Sequence, residues 1–104
     1  MNRELLKGNI NLIILSILNE KDTYGYEIMK LVKEKTKGLF ELKEGTMYIA
    51  LKRLETNKLV KSYWKQIDST PKRKYYSLTE SGKIKYLNLK DEWNHIVKIM
   101  LEFL

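Results

Sequence analysis

The side chains in this sequence whose type and spacing suit chemistry are cations. Lys52 and Arg53 are adjacent, and Lys72, Arg73 and Lys74 run in series. Lysine acts on phosphate as a point charge and arginine as a fork of parallel donors, so both groups suit a polyanion. The residues that other chemistry needs are absent or isolated. There is no cysteine, which removes disulfide scaffolds, thiolate metal sites and cysteine nucleophiles together. His95 is the single histidine and stands four residues after Asp91. That is a common pairing on a helix surface, and no placed serine accompanies it. No glycine-rich phosphate loop and no metal-spaced cluster occurs. An enzyme is not expected, nor is a cofactor or a metal.

Composition agrees with a polyanionic partner. The chain has 104 residues, enough for one domain with one core. Its 20 Lys and Arg against 13 Asp and Glu give a net charge of +7, which suits DNA, RNA or an anionic membrane. Extra lysine also serves solubility alone, so the placement of the charge has to decide. The apolar run Ile10 to Leu18 is interrupted by Asn11 and Ser16 and ends in Asn19-Glu20-Lys21-Asp22. It is too short to span a bilayer, which needs about 20 apolar residues, and no small-residue cleavage site follows. A buried first helix is the expectation, with no membrane partner. The lack of cysteine fits a reducing cytoplasm.

The elements that must position the cations read as helix, helix, helix, hairpin, helix: mainly α with a small β-hairpin. A first helix over about Arg3 to Leu18 is apolar nearly all round from Leu12 onward, so it should be central. Asp22 or Thr23 is expected to cap a second helix, in which Tyr24, Ile28, Leu31 and Val32 share a face and Gly38 is the stop signal. A third helix is expected to open at Thr46 as N-cap. Met47, Ala50, Leu51 and Leu54 give it a core stripe, and Asn57 suits its last turn. Its other side presents Tyr48, Ile49, Lys52, Arg53 and Thr56. Strands over Leu59 to Gln66 and Arg73 to Leu78 flank a loop at Asp68 to Pro71. Trp64 is expected in the core. Thr79 is expected to cap a long last helix, Glu80 to Leu104.

Helices followed by a basic recognition-type helix and a basic hairpin describe a winged helix-turn-helix. The third helix suits a major groove about 12 Å wide, with Tyr48 near the amides of its first turn. Each piece alone has a plain reading: a solvated helix face, or a hairpin edge protected by charge. A winged-helix protein-interaction module that never binds DNA also fits, but it leaves the cations on both helix and hairpin without a use. RNA binding lacks the exposed stacking aromatics of an RNA-type motif.

The segment Gly45-Thr46-Met47-Tyr48-Ile49-Ala50-Leu51-Lys52-Arg53-Leu54-Glu55 resembles the recognition-helix motif of the PadR family of bacterial transcriptional regulators. Thr23 to Ile28 is similar to that family's second-helix opening, and Arg73 to Gly82 to its wing strand and last-helix entry. The resemblance runs from about Leu5 to Gly82, and the length is similar to that of short-tailed members with a single C-terminal helix. Ile49 stands where the family usually has proline, which suits a first helical turn. The resemblance implies a dimeric repressor on a palindromic operator. It implies DNA-binding roles for Thr46, Tyr48, Lys52 and Arg53 on the helix and for Lys72, Arg73 and Lys74 on the wing.

The last helix carries an apolar face wider than one packing stripe needs: Leu89, Trp93, Ile96, Val97, Met100, Phe103 and Leu104. Each such side chain is worth roughly 1.5–3 kcal/mol when fully buried, which supports self-association. The opposite reading folds this helix back on its own domain. The expected organisation is a winged-helix DNA-binding domain over 1–78 and a C-terminal dimerisation helix over 79–104. Trp93 is either interface packing or, as the resemblance implies, one wall of a site for a small planar aromatic effector.

Overall fold

A computed structural model describes residues 3–104. The elements are α1 (Arg3–Lys7), α2 (Ile10–Glu20), β1 (Thr23–Tyr24), α3 (Gly25–Lys35), α4 (Glu44–Thr56), β2 (Val60–Lys65), β3 (Arg73–Leu78) and α5 (Glu80–Phe103). This is a winged helix with a long C-terminal helix. Among the described residues no helix is long and apolar enough to cross a membrane.

The expected first helix is two helices. The chain breaks at Gly8-Asn9, where the Asn9 side chain donates to the Leu5 carbonyl at 2.8 Å. Asparagine competes with the helical backbone in this way, so the break has a local cause. Beyond it α2 is central: Ile14 and Leu15 are fully buried and Ile17 and Leu18 nearly so. They pack with Ile28 and Val32 of α3, with Met47, Ala50, Leu51 and Leu54 of α4, and with Val60 and Tyr76 of the sheet.

Asp22 and Thr23 do not cap the second helix. Thr23 and Tyr24 form a short third strand, β1, which pairs antiparallel with β3 in the register Thr23↔Tyr76 and Tyr24↔Tyr75. The sheet order is β1-β3-β2, so β3 is central. Tyr24 therefore leaves the helical face expected of it and joins the sheet.

Two helices end in the same motif. After α3, Lys37 adopts φ 53°, and Gly38 N–H bonds to the Lys33 carbonyl while Lys37 N–H bonds to that of Glu34. After α4, Lys58 adopts φ 60°, and Leu59 N–H bonds to Leu54 O and Lys58 N–H to Glu55 O. These are Schellman ends with lysine in the left-handed position. Asn57, expected in that turn, keeps φ −82°. Lysine is strained there, but it places a cation at the negative end of the helix dipole.

Helix α4 opens three residues earlier than expected, with Lys43 in the cap position, and no side chain caps it. Thr46 is therefore its third residue and not its cap. The expectation for α5 holds. Thr79 Oγ1 accepts from Gly82 N–H at 3.0 Å and donates to the Lys58 carbonyl at 2.7 Å. Tyr86 and Leu89 of α5 pack against the core, whereas every residue from Asp91 onward is exposed. The molecule is 54 Å long and 21 Å across its thinnest axis.

Candidate nucleic-acid interface

Helix α4 presents its outer face because its inner one is fully occupied. Met47 and Leu51 are fully buried, and Leu54 and Ala50 nearly so. Lys52, Arg53, Thr46 and Thr56 are exposed, as is Ile49. Tyr48 is half in and half out, with its ring tip over Gly25 at the start of α3. A Cβ built on Gly25 would lie 2.6 Å from the Tyr48 hydroxyl and 2.8 Å from Met47 Cε. The absence of a side chain at Gly25 is what lets the recognition helix seat against α3. Tyr48 falls just past the first turn of α4, so it does not sit at the helix-end amides as expected.

One flank of α4 is bordered by a groove of about 380 Å³ toward the α1–α2 junction, lined by Lys7, Asn11, Thr46, Ile49 and Arg53 among others. The other flank meets the wing, where Ser62 of β2 donates its hydroxyl to the Glu55 carboxylate of α4. This bond joins α4 to the wing beside the core contact of Leu54 and Val60. Glu55 and burial together hold the Tyr76 phenol above its ordinary pKa, burial contributing more.

The wing strands alternate strictly. Val60, Ser62 and Trp64 point to one face and Lys61, Tyr63 and Lys65 to the other. The first face carries Val60 and Tyr76 into the core. Trp64 has the same parity but lies four residues nearer the tip, where no helix covers the sheet. It is 67% exposed and is not a core residue. Its cross-strand partner is Lys74, whose ammonium stands 5.7 Å from the Tyr76 ring.

The second face is a ladder of aromatic rings and cations. Tyr75 stacks on Tyr63 at 5.8 Å and tilts against Tyr24 at 5.3 Å. Lys65 Nζ lies 5.2 Å from the Tyr75 ring and the Arg73 guanidinium 4.6 Å from the Tyr24 ring. Tyr63 donates its hydroxyl to Asp22 at 2.7 Å, and that bond above all pushes its pKa up to about 12. Of the expected wing cations, Arg73 and Lys74 open β3 and Lys72 lies in the loop before it, all exposed. Lys65 was not anticipated. Its signal is its register, directly opposite Arg73.

The structure brings Thr46, Tyr48, Lys52 and Arg53 onto one helix and Lys72, Arg73 and Lys74 onto the adjoining wing. Chain order and fold therefore agree with one family. Residues 14–88 match the model of the transcriptional regulator PadR-like family. The chain belongs to this family.

Solved PadR-like structures resemble the chain along its length. A transcriptional regulator from Clostridium thermocellum is 38% identical with a TM-score of 0.90, covering 100% of this chain and 98% of its own. A PadR family transcription regulator from Clostridium difficile is 48% identical with a TM-score of 0.80, over 91% of this chain and 97% of that one. The Bacillus subtilis PadR, solved in complex with operator DNA, is 25% identical with a TM-score of 0.68. There the similarity covers 77% of this chain and 45% of the relative. This PadR-like chain is thus a member of a transcriptional regulator family with a winged-helix fold.

The expected self-association residues stand apart from this surface. Leu89 packs on its own domain's core, while Trp93, Ile96, Val97, Met100, Phe103 and Leu104 are 39–92% exposed. His95 pairs with Asp91 at 3.8 Å on the exposed surface. No group of three or more His, Cys, Asp and Glu that could hold a metal occurs among the described residues.

Proposed function

We propose that this chain is a repressor that binds a palindromic operator as a homodimer, in the cytoplasm. The single observation carrying the reading is the placement of exposed cations both on α4 (Lys52 and Arg53) and on the wing (Lys72, Arg73 and Lys74), which adjoins α4 through the Ser62–Glu55 hydrogen bond. The operator complex of the Bacillus subtilis relative supports the same use of the fold. In this reading Thr46, Tyr48, Lys52 and Arg53 enter the major groove, and Lys72, Arg73 and Lys74 hold the adjacent backbone.

Residues 1–78 form the DNA-binding unit and 79–104 the dimerisation helix. The apolar stripe of α5 runs from Leu89, which is packed, to Trp93, Ile96, Val97 and Met100, which are exposed. A second copy covers it and sets two recognition helices about 34 Å apart, one turn of DNA. Trp93 offers its ring to a planar aromatic effector at that interface. Such a ligand releases DNA only by binding the non-DNA arrangement better.

Fluorescence anisotropy tests the reading, with a labelled duplex from the chain's own upstream region and a scrambled control. Saturable binding that survives moderate salt on the native duplex alone is expected. Lys52→Ala with Arg53→Ala should weaken it by at least tenfold with an unchanged melting temperature, since both side chains are exposed. No binding to either duplex would favour the protein-interaction reading.

A further inference from the structure

We infer that Ile49 is a specificity-determining residue that reads the 5-methyl group of a thymine in the major groove. This role rests on the operator-binding reading and adds a base identity to it. Ile49 is 62% exposed on the outer face of α4. Gly45 precedes it by four residues, and Lys52, Arg53 and Thr56 follow it by three, four and seven, so all of them share its face. All four are exposed. A lone exposed aliphatic side chain is ordinary on a protein surface. This one stands between the cations that attract a duplex, so a duplex held by Lys52 and Arg53 covers it as well.

Toward the α1–α2 junction Ile49 borders only the open groove of about 380 Å³. One turn earlier, a Cβ built on Gly45 would meet no side chain or neighbouring element within 4 Å. Packing therefore does not require the glycine, and its bare backbone leaves the helix surface low beside Ile49, where a base edge can approach. The group that approaches must be apolar. Isoleucine neither donates nor accepts, so a base donor or acceptor pressed against it would lose water without gaining a partner. The major-groove edges of the base pairs offer one apolar group, the thymine methyl. The branching of isoleucine suits this contact. A β-branched side chain in a helix keeps one strongly preferred χ1 rotamer, so its methyl groups are in place before binding.

Uracil is thymine without this methyl and keeps every hydrogen-bonding group of the base. The test is anisotropy titration of the intact chain with the labelled upstream duplex, its thymines replaced by uracil one at a time. At the contacted thymine the replacement should weaken wild-type binding by about fourfold, the worth of one buried methyl group. Ile49→Ala should bind the unmodified duplex more weakly by at least as much and lose nothing further at that uracil. Its melting temperature should not fall, since the side chain is exposed. Ile49→Val keeps a branched apolar group and should keep the uracil penalty. A full uracil penalty in Ile49→Ala would give the methyl contact to another residue and overturn the assignment. Tight, specific wild-type binding that ignores every uracil would overturn it too, while leaving the operator reading intact. Wild type that bound the native duplex no better than the scrambled control would sink both.

Discussion

The Tyr48 hydroxyl occupies the space that a side chain on Gly25 would need, 2.6 Å from the position of its Cβ. One residue starts α3, the other lies on the outer half of α4, and their contact seats the two helices of the helix-turn-helix. Gly25→Ala should push the Tyr48 ring outward and overpack Met47. We expect a loss of about 1–3 kcal/mol in urea unfolding. Operator affinity should fall too, whereas Tyr48→Ala in the same background should recover stability but not affinity.

Gly82 should tolerate replacement less well. A Cβ there would lie 1.9 Å from the Leu59 carbonyl oxygen, which is backbone and cannot swing aside. Gly82→Ala should cost about 3 kcal/mol or more, at the upper end of overpacking. Thermal melting would show it, and an unchanged midpoint would mean that α5 does not close on this turn.

The bond from Tyr63 to Asp22 gives a pH dependence with a definite sign. The Tyr63 phenol shifts from 10.0 to about 12 on folding, chiefly through that hydrogen bond. Above pH 10 the unfolded chain loses this proton while the folded chain keeps it. The stabilisation is therefore complete below pH 10 and disappears as pH rises through 12. Denaturation midpoints of wild type should fall more steeply over this interval than those of Tyr63→Phe. Asp22→Asn should bring the phenolate transition back toward lower pH in an ultraviolet titration.

The exposed stripe of α5 should control assembly. Trp93 is 43% and Met100 47% exposed in a single copy, so charging them disturbs no core. Trp93→Glu and Met100→Glu should sediment as monomers with normal helical content and bind operator far more weakly. Dimers that persist in both variants would place the association surface elsewhere.

Much of this was legible from periodicity and cap chemistry. The β3 strand lies at Arg73–Leu78 as expected, the α4 core stripe is buried residue for residue, and Thr79 caps α5. What was missed follows from weak or misleading local signals. Two residues carry no period, so β1 could not be separated from a helix start; only pairing with Tyr75 and Tyr76 creates it. Trp64 has core parity, but sequence does not say how far the helices extend over a sheet. Lys37 and Lys58 take left-handed positions where glycine or asparagine is the usual expectation. The second-face ladder was invisible because register decides which cations meet which rings.

The turn after α4 has two attachments. It ends the recognition helix, and through the Lys58 and Leu59 carbonyls it receives Thr79 at the foot of α5. From Lys83 to Leu104 the sequence has no glycine or proline, so α5 extends roughly 36 Å from this joint without a built-in hinge. A small tilt imposed at its tip thus acts as a lever about Tyr86 and Leu89, where α5 rests on the core, and reaches the end of α4 through this joint.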